Sequence, residues 1–126
     1  MRPPSRVRCK YALIMILILG GKSSGKLDYI KNELGYAESC ISQDPTDEKQ
    51  VMYGLERYLR TEKSVSMEQL CKKRIVSCDE VGSGVVPVSE EEREYRERVG
   101  RACCEIAKHA DRVIRMVCGI PQIIKG

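Results

Sequence analysis

The segment Gly20-Gly21-Lys22-Ser23-Ser24-Gly25-Lys26 gathers small residues that leave backbone accessible and closes on a lysine. Glycines let successive N–H groups turn toward one anion. A lysine ammonium is a compact charge on a flexible stem that reaches outer phosphates. The spacing is GxxxxGK, the pattern of a phosphate-binding loop. Gly20, Gly21, Lys22, Ser23, Ser24, Gly25, Lys26 and Leu27 are therefore the candidate nucleotide-binding residues, with Lys26 also a candidate catalytic group. The motif ordinarily continues with Ser or Thr, whose hydroxyl holds Mg²⁺; Leu27 stands there instead. Phosphate binding is better supported than metal-assisted transfer. The plainer alternative is a glycine turn that closes a buried strand.

A second group of candidates is Asp79-Glu80 and the glycines Gly82 and Gly84 that follow. An acid pair at the carboxyl end of a buried strand lies where open α/β sheets bind ligands. Asp79 is the candidate metal residue, holding Mg²⁺ directly or through water. Glu80 is the candidate catalytic and nucleotide-contacting acid, joined by Gly82 and Gly84. The alternative is a strand-end turn with solvated acids.

The elements that must position these groups follow from periodicity. Residues 12–19 are an unbroken apolar run, a core strand feeding the loop. Leu27, Ile30 and Leu34 share a helical face, with Gly35 as its stop. Residues 38–42 read as a short strand and Gln43-Asp44-Pro45 as a turn. Thr46 or Asp47 is expected to cap a helix whose apolar face is Val51, Met52, Leu55, Tyr58 and Leu59. Ser66 opens a short helix through Met67, Leu70 and Cys71. Residues 74–79 form the second core strand. Ser89-Glu90-Glu91-Glu92 is a capping box opening the longest helix, with Tyr95, Val99, Ala102, Cys103, Ile106, Ala107 and Ala110 on one face. Gly100 inside it points to close approach by a neighbour, and His109 near its end to a structural role favoured by the helix dipole. Residues 113–118 are the third core strand, Gly119-Ile120-Pro121 a turn and 122–125 an edge strand. Apolar strands separated by helices predict an α/β domain with a mostly parallel sheet.

At 126 residues the chain is one domain, 12–126, behind a basic, disordered extension, 1–11. That extension and the apolar run imitate a signal peptide, but no small-residue cleavage site follows and cleavage would destroy the loop. Met15 is an alternative start. The run is too short to span a bilayer. The net charge of +4 suits an anionic ligand. Basic residues mostly alternate with acids instead of forming a stripe with aromatics, so no nucleic-acid partner is expected. With no Trp and no Phe the core is aliphatic. The seven cysteines include no CxxC pair, and the reading is reduced, mostly buried thiols in a cytoplasmic protein. A zinc site from Cys103, Cys104 and His109 is disfavoured because adjacent helical residues diverge.

Two separated blocks resemble one family, the adenosylcobinamide kinase / adenosylcobinamide-phosphate guanylyltransferases of cobalamin biosynthesis. MILILGGKSSGK at 15–26 is similar to that family's first strand and loop, and DEVGSGVVP at 79–87 to its NEVG-x-GIVP loop. Tyr95-Arg96, Gly100-Arg101, Ala107, Ala110-Asp111, Val113, Gly119-Ile120-Pro121 and Lys125 continue in the family's order. The resemblance implies a shortened member with a small, three-layer, P-loop NTPase-like α/β domain. It also implies binding of ATP or GTP with Mg²⁺ and phosphorylation of the hydroxyl of a cobinamide-type small molecule. The family forms oligomers, so a homo-oligomer is expected. Its second activity, GMP transfer, uses a histidine after the loop helix. No His lies between Lys26 and Glu80, His109 is in another block, and the family's acid-bearing second strand has no clear match in 36–73.

Overall fold

The computed structural model describes residues 14–80 and 89–126. The expected extension 1–11 lies outside them, as do Gly82 and Gly84. The strands are β1 (Ile16–Gly20), β2 (Ile41–Ser42), β3 (Val51–Met52), β4 (Ile75–Asp79), β5 (Arg112–Val117) and β6 (Ile120–Lys125), and the helices α1 (Lys26–Asp28), α2 (Leu55–Thr61), α3 (Met67–Leu70) and α4 (Glu90–His109). The strands form one sheet in the order β2-β3-β4-β1-β5-β6. All neighbours are parallel except β5 and β6, which are antiparallel.

Because strand side chains alternate between faces, each apolar strand feeds two cores. Leu17, Met52, Val76, Cys78 and Val113 pack with Leu55, Leu59, Leu70, Tyr95, Val99 and Ile106 of α2, α3 and α4. Their neighbours Ile18, Val51, Ile75, Ile114 and Met116 pack with Ile30, Tyr29 and Leu34, which follow the loop. Helices on both faces make the three-layer α/β arrangement.

Several expectations are corrected. Val51 and Met52 are not helical; they enter the sheet beside β4, and Gly54 in left-handed conformation (φ 86°) starts the helix only at Leu55. Apolar spacing of i, i+1, i+4 suits either element, and the buried N–H of Gly54, held by the Ser77 carbonyl at 3.2 Å and its hydroxyl at 3.1 Å, decides it. Residues 38–40 are a single 3₁₀ turn, leaving only β2 extended. The helix after the loop is one α turn that continues as a π-turn, Tyr29–Glu33. The turn between β5 and β6 is Cys118-Gly119, both with positive φ (52° and 78°), so Ile120 and Pro121 already belong to the strand. This is the two-residue hairpin turn that matches strand twist.

Ser89 caps α4 by accepting from the Glu92 amide at 3.1 Å, but the Glu92 carboxylate turns to Arg60 of α2 at 2.9 Å instead of completing the box. Gly100 is exposed, and a β-carbon there would meet nothing within 4 Å. It serves no close approach. Asp47 does not cap a helix either. Its carboxylate takes Lys73 Nζ at 2.6 Å, while the carbonyls of Asp47 and Lys49 accept from the same buried ammonium at 3.3 and 2.7 Å. The hydrogen bond from Lys73 lowers the Asp47 carboxyl from 3.8 to about 2.

Gly100→Ala should stabilise the protein by about 1 kcal/mol, raising the melting temperature by about 4 °C; a thermal melt checks this. The Asp47 shift has a definite sign. Its folded pKa lies below its unfolded one, so its contribution is present above pH 3.8 and is lost as pH falls toward about 2. The stability difference between wild type and Lys73→Met, measured by urea unfolding at stepped pH, should collapse across that interval.

Candidate functional site

Gly20 ends β1 between Asp79 of β4 and Met116 of β5. A β-carbon there would strike the Ser24 hydroxyl and stand 2.9 Å from the Met116 carbonyl. The chain then bends: the Ser24 amide donates to the Gly21 carbonyl at 3.2 Å, and Ser23 (φ 62°) and Gly25 (φ 96°) are left-handed. The hairpin turn of β5 and β6 braces the bend. The Gly119 amide donates to the Ser24 carbonyl at 2.9 Å, and a β-carbon on Gly25 would lie 3.0 Å from Gly119 Cα. Among the described residues, the amides of Gly21, Lys22, Ser23, Gly25 and Lys26 take no backbone carbonyl. They are donors available to an anion.

Lys26 is buried, with 3% of its surface exposed. Its ammonium donates to the carbonyls of Gly21 at 2.9 Å and Gly20 at 3.3 Å, and pairs with Asp79 Oδ1 at 2.6 Å. Three protons thus have three acceptors, which a buried charge demands. Asp79 is itself placed from behind. Its amide donates to Glu56 Oε1 at 2.8 Å, and the Tyr95 hydroxyl of α4 donates to the Glu56 carbonyl at 2.8 Å.

The two expected acids part company. Asp79 and Glu80 are sequential at a strand end, so they point to opposite faces. Asp79 reaches Lys26. Glu80 makes a bidentate pair with Arg115 of β5, Nε to Oε2 at 2.9 Å and Nη2 to Oε1 at 3.2 Å. Arg115 sits beside Leu19 in the register, so this pair bridges the end of β1 on the α4 face. The Glu80 amide still donates to the Gly20 carbonyl at 2.8 Å.

A cleft of about 280 Å³ opens beside the loop, lined by Ser23, Ser24, Gly25, Lys26, Leu27, Asp28 and Tyr53. Pockets that enclose a drug-sized ligand run to roughly 300–1,000 Å³, so this one suits a phosphate tail more than a whole nucleotide. Among the described residues no group of three His, Cys, Asp or Glu side chains is placed to hold a metal ion. Leu27 offers no oxygen, Asp79 is engaged by Lys26 and Glu80 by Arg115. The described residues do not fit a metal site, and Cys103, Cys104 and His109 do not form one.

The thiols are less buried than expected: Cys78 is in the core, Cys40 and Cys103 are half-buried, and Cys71, Cys104 and Cys118 are exposed. The Cys78 thiol donates to the Asp79 carbonyl at 3.4 Å, and its interaction with the neighbouring Cys103 together with burial pushes it far above its ordinary value. It is an inert core thiol.

Glu56, Tyr53 and Arg115 join the site although the sequence pattern does not disclose them. Tyr53 was hidden because β3 read as helix. Arg115 interrupts an apolar strand, and that interruption was the available signal. Gly25→Val should abolish nucleotide binding and lower the melting temperature, because position 25 needs φ 96° and has no room against Gly119. Titration with a fluorescent nucleotide and a thermal melt check both, and unchanged values in the two would contradict the loop geometry.

A family model described as cobinamide kinase / cobinamide phosphate guanyltransferase matches residues 46–124. None of the curated proteins matches the chain. The matched span begins after the loop and takes in β3, β4, the Asp79-Glu80 pair, α4 and the hairpin turn that braces Gly25. With well over half of its length matched, the chain belongs to the cobinamide kinase / cobinamide phosphate guanyltransferase family.

Proposed function

We propose that the chain binds ATP or GTP through residues 20–27 and transfers the terminal phosphoryl group to the hydroxyl of a cobinamide-type acceptor. The observation that carries this is Lys26, buried beneath a bend in which the amides of Gly21, Lys22, Ser23, Gly25 and Lys26 take no backbone carbonyl among the described residues. Family membership supports a nucleotide-binding role in cobalamin biosynthesis. In this reading the amides of Gly21, Lys22, Ser23, Gly25 and Lys26 and the Lys26 ammonium hold the β- and γ-phosphates. The acceptor oxygen forms a bond to the γ-phosphorus, the bond to the β-bridging oxygen breaks, and the nucleoside diphosphate departs. Phosphoryl transfer asks mainly for positioning and charge neutralisation. Asp79 lies close enough to Lys26 to orient the acceptor hydroxyl. Glu80, held by Arg115, is a candidate for the ribose, and Gly82 and Gly84 would approach the nucleotide from the loop after it.

No step is assigned to Mg²⁺, since the described residues do not fit one. Guanylyl transfer has no histidine nucleophile in the expected place: no histidine lies between the loop and Glu80, and His109 ends α4 at the amino-terminal end of the parallel strands, opposite the loop. Leu27 favours a second reading, a protein of the family that keeps nucleotide binding and has lost transfer.

Incubation with Mg·ATP or Mg·GTP and adenosylcobinamide separates them. Phosphorylated product that disappears in Lys26→Ala supports the kinase. Binding without product supports the second reading, and no binding of either nucleotide removes both.

A further inference from the structure

We propose that Asp79 is an internal competitor for Lys26: its carboxylate stands where a ligand phosphate goes, and the loop takes a polyphosphate by exchanging Asp79 for a phosphate oxygen without a divalent cation. This rests on the loop reading above and specifies its chemistry.

An ammonium has three protons, and those of Lys26 are taken by the Gly20 carbonyl, the Gly21 carbonyl and Asp79 Oδ1. An incoming phosphate must displace one of them. The Gly20 carbonyl is fixed, because it also accepts the Glu80 amide at 2.8 Å. The Gly21 carbonyl accepts the Ser24 amide and shapes the bend. Asp79 is the acceptor that can leave. Its side chain is 24% exposed against 3% for Lys26, so it has water to turn to. Its backbone stays in place, held in register with Gly20 and by the Glu56 carboxylate at 2.8 Å. Carboxylate and phosphate oxygens make the same charge-assisted bond to an ammonium, so the exchange replaces like with like.

A cation has no comparable place. Position 27 is leucine, Glu80 is spent on Arg115, Asp28 is an exposed acid at the cleft's rim, and the Asp79 carboxylate that the exchange releases belongs to no group of three His, Cys, Asp or Glu side chains among the described residues. A site of this composition takes the bare anion. Excess Mg²⁺, which sequesters the phosphates of the ligand, should weaken binding and not strengthen it.

The two roles for Asp79 give opposite signs on substitution. If Asp79 were a metal ligand, Asp79→Asn would lose affinity in Mg²⁺. As a competitor, its neutralisation frees Lys26, and affinity should rise by about tenfold, the response to removing one modest charge contact. The full chain is titrated with inorganic pyrophosphate and with GDP, in EDTA and in excess Mg²⁺, by calorimetry. The expected result is wild-type binding in EDTA at least as tight as in Mg²⁺, and tighter binding by Asp79→Asn. Tenfold tightening of the wild type by Mg²⁺, or weaker binding by a folded Asp79→Asn, overturns the proposal. The wild-type comparison decides alone if the variant does not fold. Absence of binding in both buffers instead removes the loop reading, and this proposal with it.

Discussion

A buried lysine ammonium is the constraint around which this fold closes. Leaving a charge unpaired in a protein interior costs several kcal/mol, so Lys26 cannot sit at the end of β1 unless acceptors are delivered to it. Three are, and each comes from a different structural decision. The Gly20 carbonyl is held in place at the strand end by the Glu80 amide and offers its second lone pair to the ammonium. The Gly21 carbonyl is turned back by the bend through Ser23 and Gly25. Asp79 arrives because β4 lies directly beside β1 in parallel register. The supporting groups then follow: Glu56 holds the Asp79 amide, Tyr95 holds Glu56, and the hairpin turn at Gly119 holds the bend. The elements α2, α4 and β6 thereby reach a site to which their sequences give no obvious connection.

The two-residue period of a strand sorts the rest of the chemistry. Asp79 and Glu80 are adjacent in the chain, yet one serves the α1 face and the other the α4 face. Each finds a cation on its own side, Lys26 for Asp79 and Arg115 for Glu80. Without Arg115, the end of β1 would carry two acids and one lysine, an arrangement hostile to an anion. With both pairs made, the local charge is balanced.

How much of this could be read from residues alone follows from the range of the interactions involved. The strand, glycine bend and lysine are contiguous, and so are the Ser89 cap and the long amphipathic helix; local pattern was enough for them. The core strands at β4 and β5 announce themselves by clustered apolar residues, Ile75, Val76 and Cys78 in one and Val113, Ile114, Met116 and Val117 in the other. What failed was short or ambiguous. β3 has two residues, and Val51 and Met52 fit a helix face as well as a strand. The hairpin turn was displaced because Cys118 adopts positive φ, unusual for a residue with a β-carbon. Gly100 suggested close packing, whereas its face of α4 is solvent. The pairings Lys26–Asp79, Glu80–Arg115 and Asp79–Glu56 span 53, 35 and 23 residues of sequence and depend on strand order, which no local signal encodes.

Membership in a kinase and guanyltransferase family and the loss of particular groups are compatible, because binding and transfer lean on different parts of the site. In the proposed reading, gripping a phosphate tail needs amides and one cation, and both come from residues whose geometry the fold enforces: Lys26 must be paired and Gly25 must bend. Transfer needs in addition a group that follows the charge as it moves to the leaving oxygen. That group is not required for folding. Leucine at position 27 adds apolar surface to the cleft wall. The residues that the buried lysine requires are fixed by the fold, whereas Leu27, half-buried on the cleft wall, is not among them.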